Sequence, residues 1–447
     1  MKENKSIYTR ATGISHIRPT LLALAFAAMA SPRAFAQSTD GTPSSAATPY
    51  TLEQCIDEAL KNNLQLRSAA TQSAMATEQR KQAQTNYFPT VSATGGGFIA
   101  NRGLMQMGLG GMNVEMMKNG VAAGVTAMQP LFAGGQIVNG NRLAKVGEQS
   151  ARLQCRLTEN EVRLNITNYY WQIVMLKEKL VTLDQLDRQL TTVMGDAQAA
   201  VDAGVRNRND LLQVKLRSNE VRTSRIQVEN NLAVCRDMLA QSMGRAGENV
   251  DAASTIDTPQ EPQQLYVRPD DALQQTTEYR LLDKQIEANR LQYRMAVGKN
   301  LPTVAVGAGW MYNNVMDKSQ ANVVGMLTLS VPLSAWWGGS HDIKRQRMQL
   351  TNASTDKQRQ SEMLVIRMRK AWNDLCDAYR QVDIARESIT QSEENLRLNT
   401  DYYEAGTSSV SDVLDAQTLY QQSRDKYVEA ITNYEVKKCE YLQATGR

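Results

Sequence analysis

The chain has 447 residues, 50 Lys/Arg against 46 Asp/Glu, and only two histidines. Five of those basic residues and one acid lie in the first 36 positions, so the remainder carries 45 of each sign and gives no electrostatic footprint for nucleic acid. Five scattered cysteines exclude a disulfide framework.

The first 36 residues read as a secretory leader. Lys2, Lys5, Arg10 and Arg18 are basic, Leu21 to Ala30 is apolar, and Ala34-Phe35-Ala36 is a small-residue cleavage site. No later apolar run approaches the ~20 residues of a spanning helix, so any membrane segment must be built of strands. Residues 37–49, rich in Ser, Thr, Ala and Pro, read as a flexible N-terminal segment.

Helical periodicity runs from Thr51 to about Tyr87, with Thr51 placed to cap it and Gln54 three residues later. Pro89 ends it. Strands are expected at about 90–100 and 120–131, joined by a Gly/Met-rich loop at 102–119. Helix resumes near Ile137 and continues without proline to Ala203, a rod of roughly 100 Å that needs neighbours along its length. The tip at Gly204 and Val205 turns the chain into a helix beginning near Asp210 and Leu211. Residues 246–267 read as irregular.

The pattern then repeats. Asp270-Asp271-Ala272-Leu273 matches Asp57-Glu58-Ala59-Leu60 at an offset of 213, and Leu301-Pro302-Thr303 matches Phe88-Pro89-Thr90 at the same offset. Val331-Pro332-Leu333 matches Gln129-Pro130-Leu131 at an offset of 202, so the second inter-strand loop is 11 residues shorter. Strands are expected at about 303–312 and 322–333, then a second rod from about Asp342 to Ala405, a tip at Gly406, and a last helix. Residues 50–245 and 268–447 are thus two copies of helix, strand, strand, long helix, tip, helix. The last helix of copy one and the first of copy two add up to one rod, so those two are expected to stack end to end beside it, with 246–267 around the middle.

At the second tip, Gly406 suits a left-handed residue, Ser409 or Ser411 can cap the next helix, and Asp412 and Asp415 fall near its start. Four strands are too few to close a barrel, so several chains must share one. Trp310, Tyr312, Trp336 and Trp337 lie near strand ends, where membrane-interface aromatics or ordinary packing would put them. His341 is the only histidine past the leader, and no nucleophile, metal or phosphate-binding constellation accompanies it, which argues against an enzyme and against a cofactor. The cysteines read as small apolar helix residues, although an antiparallel hairpin could bring Cys376 level with Cys439. Met105, Met107, Met112, Met116 and Met117 could offer thioethers to Cu(I) or act as flexible filler.

Taken together, the stretches TLEQCIDEALKNN, YFPT, NLPT, QPLFAGG, AGVRNRNDLLQ and AGTSSVSDVLDAQTLYQQ resemble the TolC-like outer-membrane efflux and secretion channels. The resemblance covers both halves, from about Tyr50 to Arg447. It implies a mixed, mainly α chain in which a long helical coiled-coil barrel joins a 12-stranded β-barrel built by a homotrimer in the outer membrane of a Gram-negative cell. It also implies a helical tunnel in the periplasm, a periplasmic adaptor of the membrane-fusion type, and an inner-membrane transporter of RND or ABC type. Residue by residue, Asp412 and Asp415 match the acids ringing the constricted end, although Asp412 is also placed to cap a helix. Gly204, Val205, Asp210, Leu211, Tyr403, Gly406, Thr407 and Val413 match tip positions that latch hairpins or meet the adaptor, with Asp210 equally placed as a cap. Ser408 departs from the pattern, having no basic side chain for a latch. A soluble periplasmic coiled-coil scaffold is the competing reading, and the strand pairs argue against it.

Overall fold

The computed structural model describes residues 48–447 except 103–104, 110–111, 118, 254–255, 257, 315–318 and 334. The expected leader and residues 37–47 lie outside the described residues.

Strand β1 (Thr48–Tyr50) occupies the end of the stretch expected to be flexible, and it pairs in parallel with a strand that comes after the whole first helical hairpin. Helix α1 (Leu52–Asn62) opens with the capping box of Thr51 and Gln54. The expected single helix then breaks: the Asn63 backbone becomes extended and its side chain caps α2 (Leu64–Thr85). The asparagine wins because its amide also donates to Ser242 O at 2.7 Å, a tertiary bond invisible to periodicity. Next come β2 (Thr90–Ile99), β3 (Met105–Leu109), β4 (Met112–Met116) and β5 (Asn119–Ala133). The expected Met-rich loop is therefore largely a hairpin, with β3 and β4 antiparallel.

Helices α3 (Gln136–Asp202) and α4 (Arg208–Ser242) form the first long hairpin. The crossing segment contains β6 (Val250–Ala252), partner of β1, and a 3-10 turn at Pro262–Leu265. Copy two follows: α5 (Pro269–Leu273), α6 (Thr277–Lys299), β7 (Thr303–Asn314), β8 (Gln320–Ser330), α7 (Ala335–Glu404) and α8 (Val410–Ala444). At 67 and 70 residues, α3 and α7 are rods of roughly 100 Å.

The helices form a layer four files wide. Near the sheet the files are α2, α3, α6 and α7; toward the tips α4 and α8 replace α2 and α6. End-to-end stacking differs from the sequence expectation: each short pair comes from a single copy. The end of α4 meets the α1–α2 break, where Arg245 pairs with Glu58 at 2.9 Å, and the end of α8 meets the α5–α6 break, where Gly446 lies against Gln275. Summed lengths could not distinguish these partners, whereas the bond from Asn63 to Ser242 and the packing of Gly446 on Gln275 do. The copies match in their cores. Ile166 and Met368, Ile173 and Leu375, and Leu239 and Tyr441 are buried pairs at equivalent positions of the repeat.

All five cysteines are free, and Cys439 turns to α3, where Thr167 Oγ1 donates to its sulfur at 3.7 Å. The hairpin does not bond it to Cys376.

Sheet and helices join at a close backbone crossing. Gly134 has φ +57°, and a Cβ on Gly298 would collide with Gly134 O. Gly298→Ala should cost about 1–3 kcal/mol of stability by forcing that crossing apart, read as a lowered thermal midpoint of the detergent-extracted protein. Gly147→Ala, where the added carbon meets nothing within 4 Å, should leave the midpoint unchanged or raise it.

Candidate functional site

The four-stranded sheet runs in the order β2-β5-β7-β8, antiparallel throughout. Its register sorts the side chains onto two unlike faces. Directly paired residues share a face, and alternate residues along a strand share it too. Ala93, Val125, Trp310 and Val323 are aligned across the sheet, and so are Val306 with Leu327 and Phe132 with Val304 and Leu329. That face is apolar apart from Gln129 beside Val306 and from Asn119 and Asn314 at the far end, where Trp310 and Tyr312 also lie.

The opposite face is mixed, with small and polar residues set among Met128, Met311, Val324 and Met326. Ser92 pairs with Thr126, their hydroxyls 3.0 Å apart, and Ala305 pairs with Thr328, Met311 with Asn322 and Asn313 with Gln320. Lengths of 10, 15, 12 and 11 residues meet the ~9–11 that a tilted membrane strand requires. Both outer strands, β2 and β8, have one unpaired edge within the chain. Trp337 is exposed in the first turn of α7, at the other border of the apolar face from Tyr312. The side chains of residues 103–116 and of Trp336 lie outside the described residues.

At the far end of the rods the two hairpin tips have the same form. Gly204 (φ +72°) and Gly406 (φ +74°) take the left-handed conformation with open space around them. The N–H groups of Val205 and Thr407 donate back to Ala200 O and Tyr402 O, each at 2.9 Å. Thr407 Oγ1 also donates to Tyr402 O, and Val205 is 78% exposed at the apex. Leu211 and Val413 are buried inside the hairpins, so they hold the tips together and present no contact surface. Asp210 is not the cap of α4. Asn207 takes that role, and Asp210 sits half-buried in the first turn.

The two aspartates of the second tip separate. Asp412 closes a capping box with Ser409: its Oδ2 accepts from Ser409 N at 2.9 Å and Ser409 Oγ at 2.7 Å, and also from Ser408 Oγ at 2.8 Å. These bonds, Ser409 first and then Ser408, hold its carboxyl below the usual range. Ser408 thus serves its own helix. Asp415, one turn further on, is exposed and has no hydrogen-bond or ion-pair partner among the described residues.

A cation from the other tip lies against Tyr403. The Arg206 guanidinium lies 3.9 Å from the centre of the Tyr403 ring and donates to Tyr403 O at 3.0 Å. Above it, further polar rungs join the hairpins: Arg217 to Gln421 at 2.9 Å, Arg424 to Gln185 at 2.8 Å, and Lys179 to Glu429 at 2.6 Å. They flank a small apolar cluster that includes Leu186, Leu190, Val410 and Leu414. Sequence reasoning did not single out Arg206, although its place two residues after Gly204 was a usable signal once Ser408 was noted.

The family model described as outer membrane efflux protein matches residues 55–245 and 269–447. Among solved structures, CusC aligns with a TM-score of 0.78 at 15% identity, covering 90% of this chain and 93% of its own. VceC of Vibrio cholerae aligns at 0.76 and 13% identity, covering 88% and 96%, and CmeC of Campylobacter jejuni at 0.77 and 14%, covering 88% and 85%. These identities establish a common fold. No curated protein matches the sequence significantly.

Because the folded pKa of Asp412 is depressed, its contribution is fully present above the ordinary aspartate value and is lost as pH falls through the lowered one. At neutral pH, Asp412→Ala should speed hydrogen exchange of the amides at 409–413 severalfold. In the unsubstituted protein the same amides should lose protection only at pH below the ordinary aspartate range.

Proposed function

The chain belongs to the outer membrane efflux protein family, and from that premise we propose that three copies close their sheets into one 12-stranded barrel that serves as the exit duct of a tripartite export system. As a member of this family it is an outer-membrane channel that conducts passively and catalyses no reaction, its helical tunnel lying in the periplasm.

The observation that carries the proposal is the two-faced sheet with two open edges. A largely apolar face fits lipid, a face that carries hydroxyls and amides fits a wet bore, and an unpaired edge is prohibitively costly in hydrocarbon. Pairing β2 of one copy with β8 of the next removes every edge. The helical layer supports the same assembly, because its outer files carry exposed apolar side chains. Leu216 and Ile226 on α4 and Met363, Ile366 and Ile384 on α7 are each more than half exposed in one chain, where a neighbouring copy would cover them.

At the tips, three copies of Asp415 would ring the narrow end with carboxylates that bind no other group, and Asp412 would stand behind them as a cap. The Arg206–Tyr403 contact would latch the two hairpins of each copy, with Gly204, Val205, Gly406 and Thr407 at the apices that meet a periplasmic adaptor. An inner-membrane transporter of RND or ABC type would feed the duct. Opening would spread the hairpins across the polar rungs, which exchange readily with water, and leave the apolar cores of the hairpins intact.

Single-channel recording in planar bilayers tests the proposal. Asp415→Asn should weaken cation preference and block by divalent cations, whereas Asp412→Asn should alter them much less. Arg206→Ala should raise the resting conductance, and Arg206→Lys should raise it less, because lysine keeps the charge but loses the planar stack. Unchanged currents in both Asp415→Asn and Arg206→Ala would refute the gate. A protein that carries no current would refute the duct.

A further inference from the structure

The groove between α3 and α6 just below the sheet holds charges that conduction and gating do not use. Arg142 and Lys145 on α3 and Arg290 and Arg294 on α6 line a cavity of about 430 Å³ together with Lys284 and Glu287. Glu287 is occupied by Lys284 at 2.8 Å. The other four cations are exposed and have no acidic partner among the described residues. Their spacing, 142 to 145 and 290 to 294, puts each pair on one face of its helix. Four like charges around one groove repel each other unless an anion joins them.

The position of the groove points to that anion. Arg142 lies nine residues after Ala133 and Arg294 nine residues before Thr303, and Ala133 and Thr303 are register partners at the end of the sheet. From Gln136 to Arg142 is six residues, roughly 9 Å along the helix. A headgroup layer extends about 5–8 Å beyond the hydrocarbon, within reach of a long basic side chain.

Apolar side chains lie between these cations and the sheet, Leu301 just past the end of α6. Val138 stands one turn above Arg142, and Leu301 follows Arg294 by seven residues; each is 41% exposed. Apolar above and cationic below is the order in which a phospholipid presents its acyl chain and phosphate.

The groove also lies on the outer side of the wall. Residues 142, 149, 156, 163, 170 and 177 fall seven apart on α3, a line that keeps to one face where the long helices supercoil about their neighbours. At its lower end, Tyr170 donates to Ala253 O at 2.6 Å, and Lys177 binds Asp251 and Ala252 O in the segment that crosses the wall. A duct must carry that segment outside, since three copies inside would obstruct the bore. We infer that the Arg142–Lys145–Arg290–Arg294 groove is a docking site for the phosphate headgroups of anionic lipids in the leaflet facing the helices. The inference rests on the channel reading, which fixes which face is outward.

The test uses the assembled full-length protein in nanodiscs and native mass spectrometry, with phosphatidylglycerol as probe, phosphatidylcholine as control and inorganic phosphate as competitor. Each basic residue near an anionic surface contributes roughly fivefold to affinity. Replacing all four by glutamine should therefore cut phosphatidylglycerol retention more than about tenfold and leave phosphatidylcholine retention and single-channel current unchanged. A variant with lysine at the three arginine positions keeps the charge and should retain the lipid, which separates lost binding from lost folding. Val138→Asn should weaken lipid retention several-fold. Equal retention by the glutamine variant would overturn the inference. So would full displacement by millimolar inorganic phosphate, which would mark a soluble-anion site, or an altered ion selectivity, which would place the groove in the bore. A wild-type protein that retains the lipid but carries no current would instead overturn the channel reading.

Discussion

A β-sheet edge cannot be left open in hydrocarbon. Each unpaired N–H and C=O there has no water to bond, and each costs several kcal/mol. This chain has a sheet with one lipid-compatible face, one face that carries hydroxyls and amides, and two bare edges, and no single copy can satisfy it. In the proposed assembly these four strands become part of a larger ring. The two rods of roughly 100 Å hang from the strand ends and are carried into the same ring, so the tunnel wall follows from sheet closure.

The proposed opening requires a helical layer that is tight along its length and separable at one end. Near its middle the duplicated cores, around Ile166 and Ile173 in one copy and Met368 and Leu375 in the other, are apolar and buried. The crossing segment is fastened there by Lys177 and Arg236 on Asp251. Toward the tips, charged and amide rungs link the hairpins. Such bonds contribute little net energy in water, so the tip end is where hairpins can part at small cost while the middle stays fixed.

Much of this was legible in the sequence because the strongest signals are periodic or repeated. Two tips at matching places in a repeat, two proline-punctuated strand pairs and two uninterrupted rods required no tertiary information. The α1–α2 break was hidden, since it depends on the bond from Asn63 to Ser242, 179 positions away. The pairing of short helices within each copy was hidden because length arithmetic is blind to partner identity. At the tip, Asp412 and Asp415 look alike in sequence. Only the hydroxyls of Ser408 and Ser409 show that one carboxylate is occupied and the other free. Arg206 was missed because its contact with Tyr403 joins two tips that lie 197 positions apart in the chain. The basic groove under the sheet needs two helices brought side by side, and neither helix announces it alone.

The central claim is that β2 of one copy pairs with β8 of the next, three times around. In a cysteine-free background, Thr328→Cys on the polar face of β8 can be combined in turn with Thr90→Cys, Ser92→Cys or Thr94→Cys on the polar face of β2, and each protein oxidised in its membrane. The expected result is that at least one combination gives covalent dimers and then covalent trimers, with no larger species. Absence of intermolecular products from every combination, or a ladder continuing beyond three chains, would contradict closure of the sheet by a ring of three.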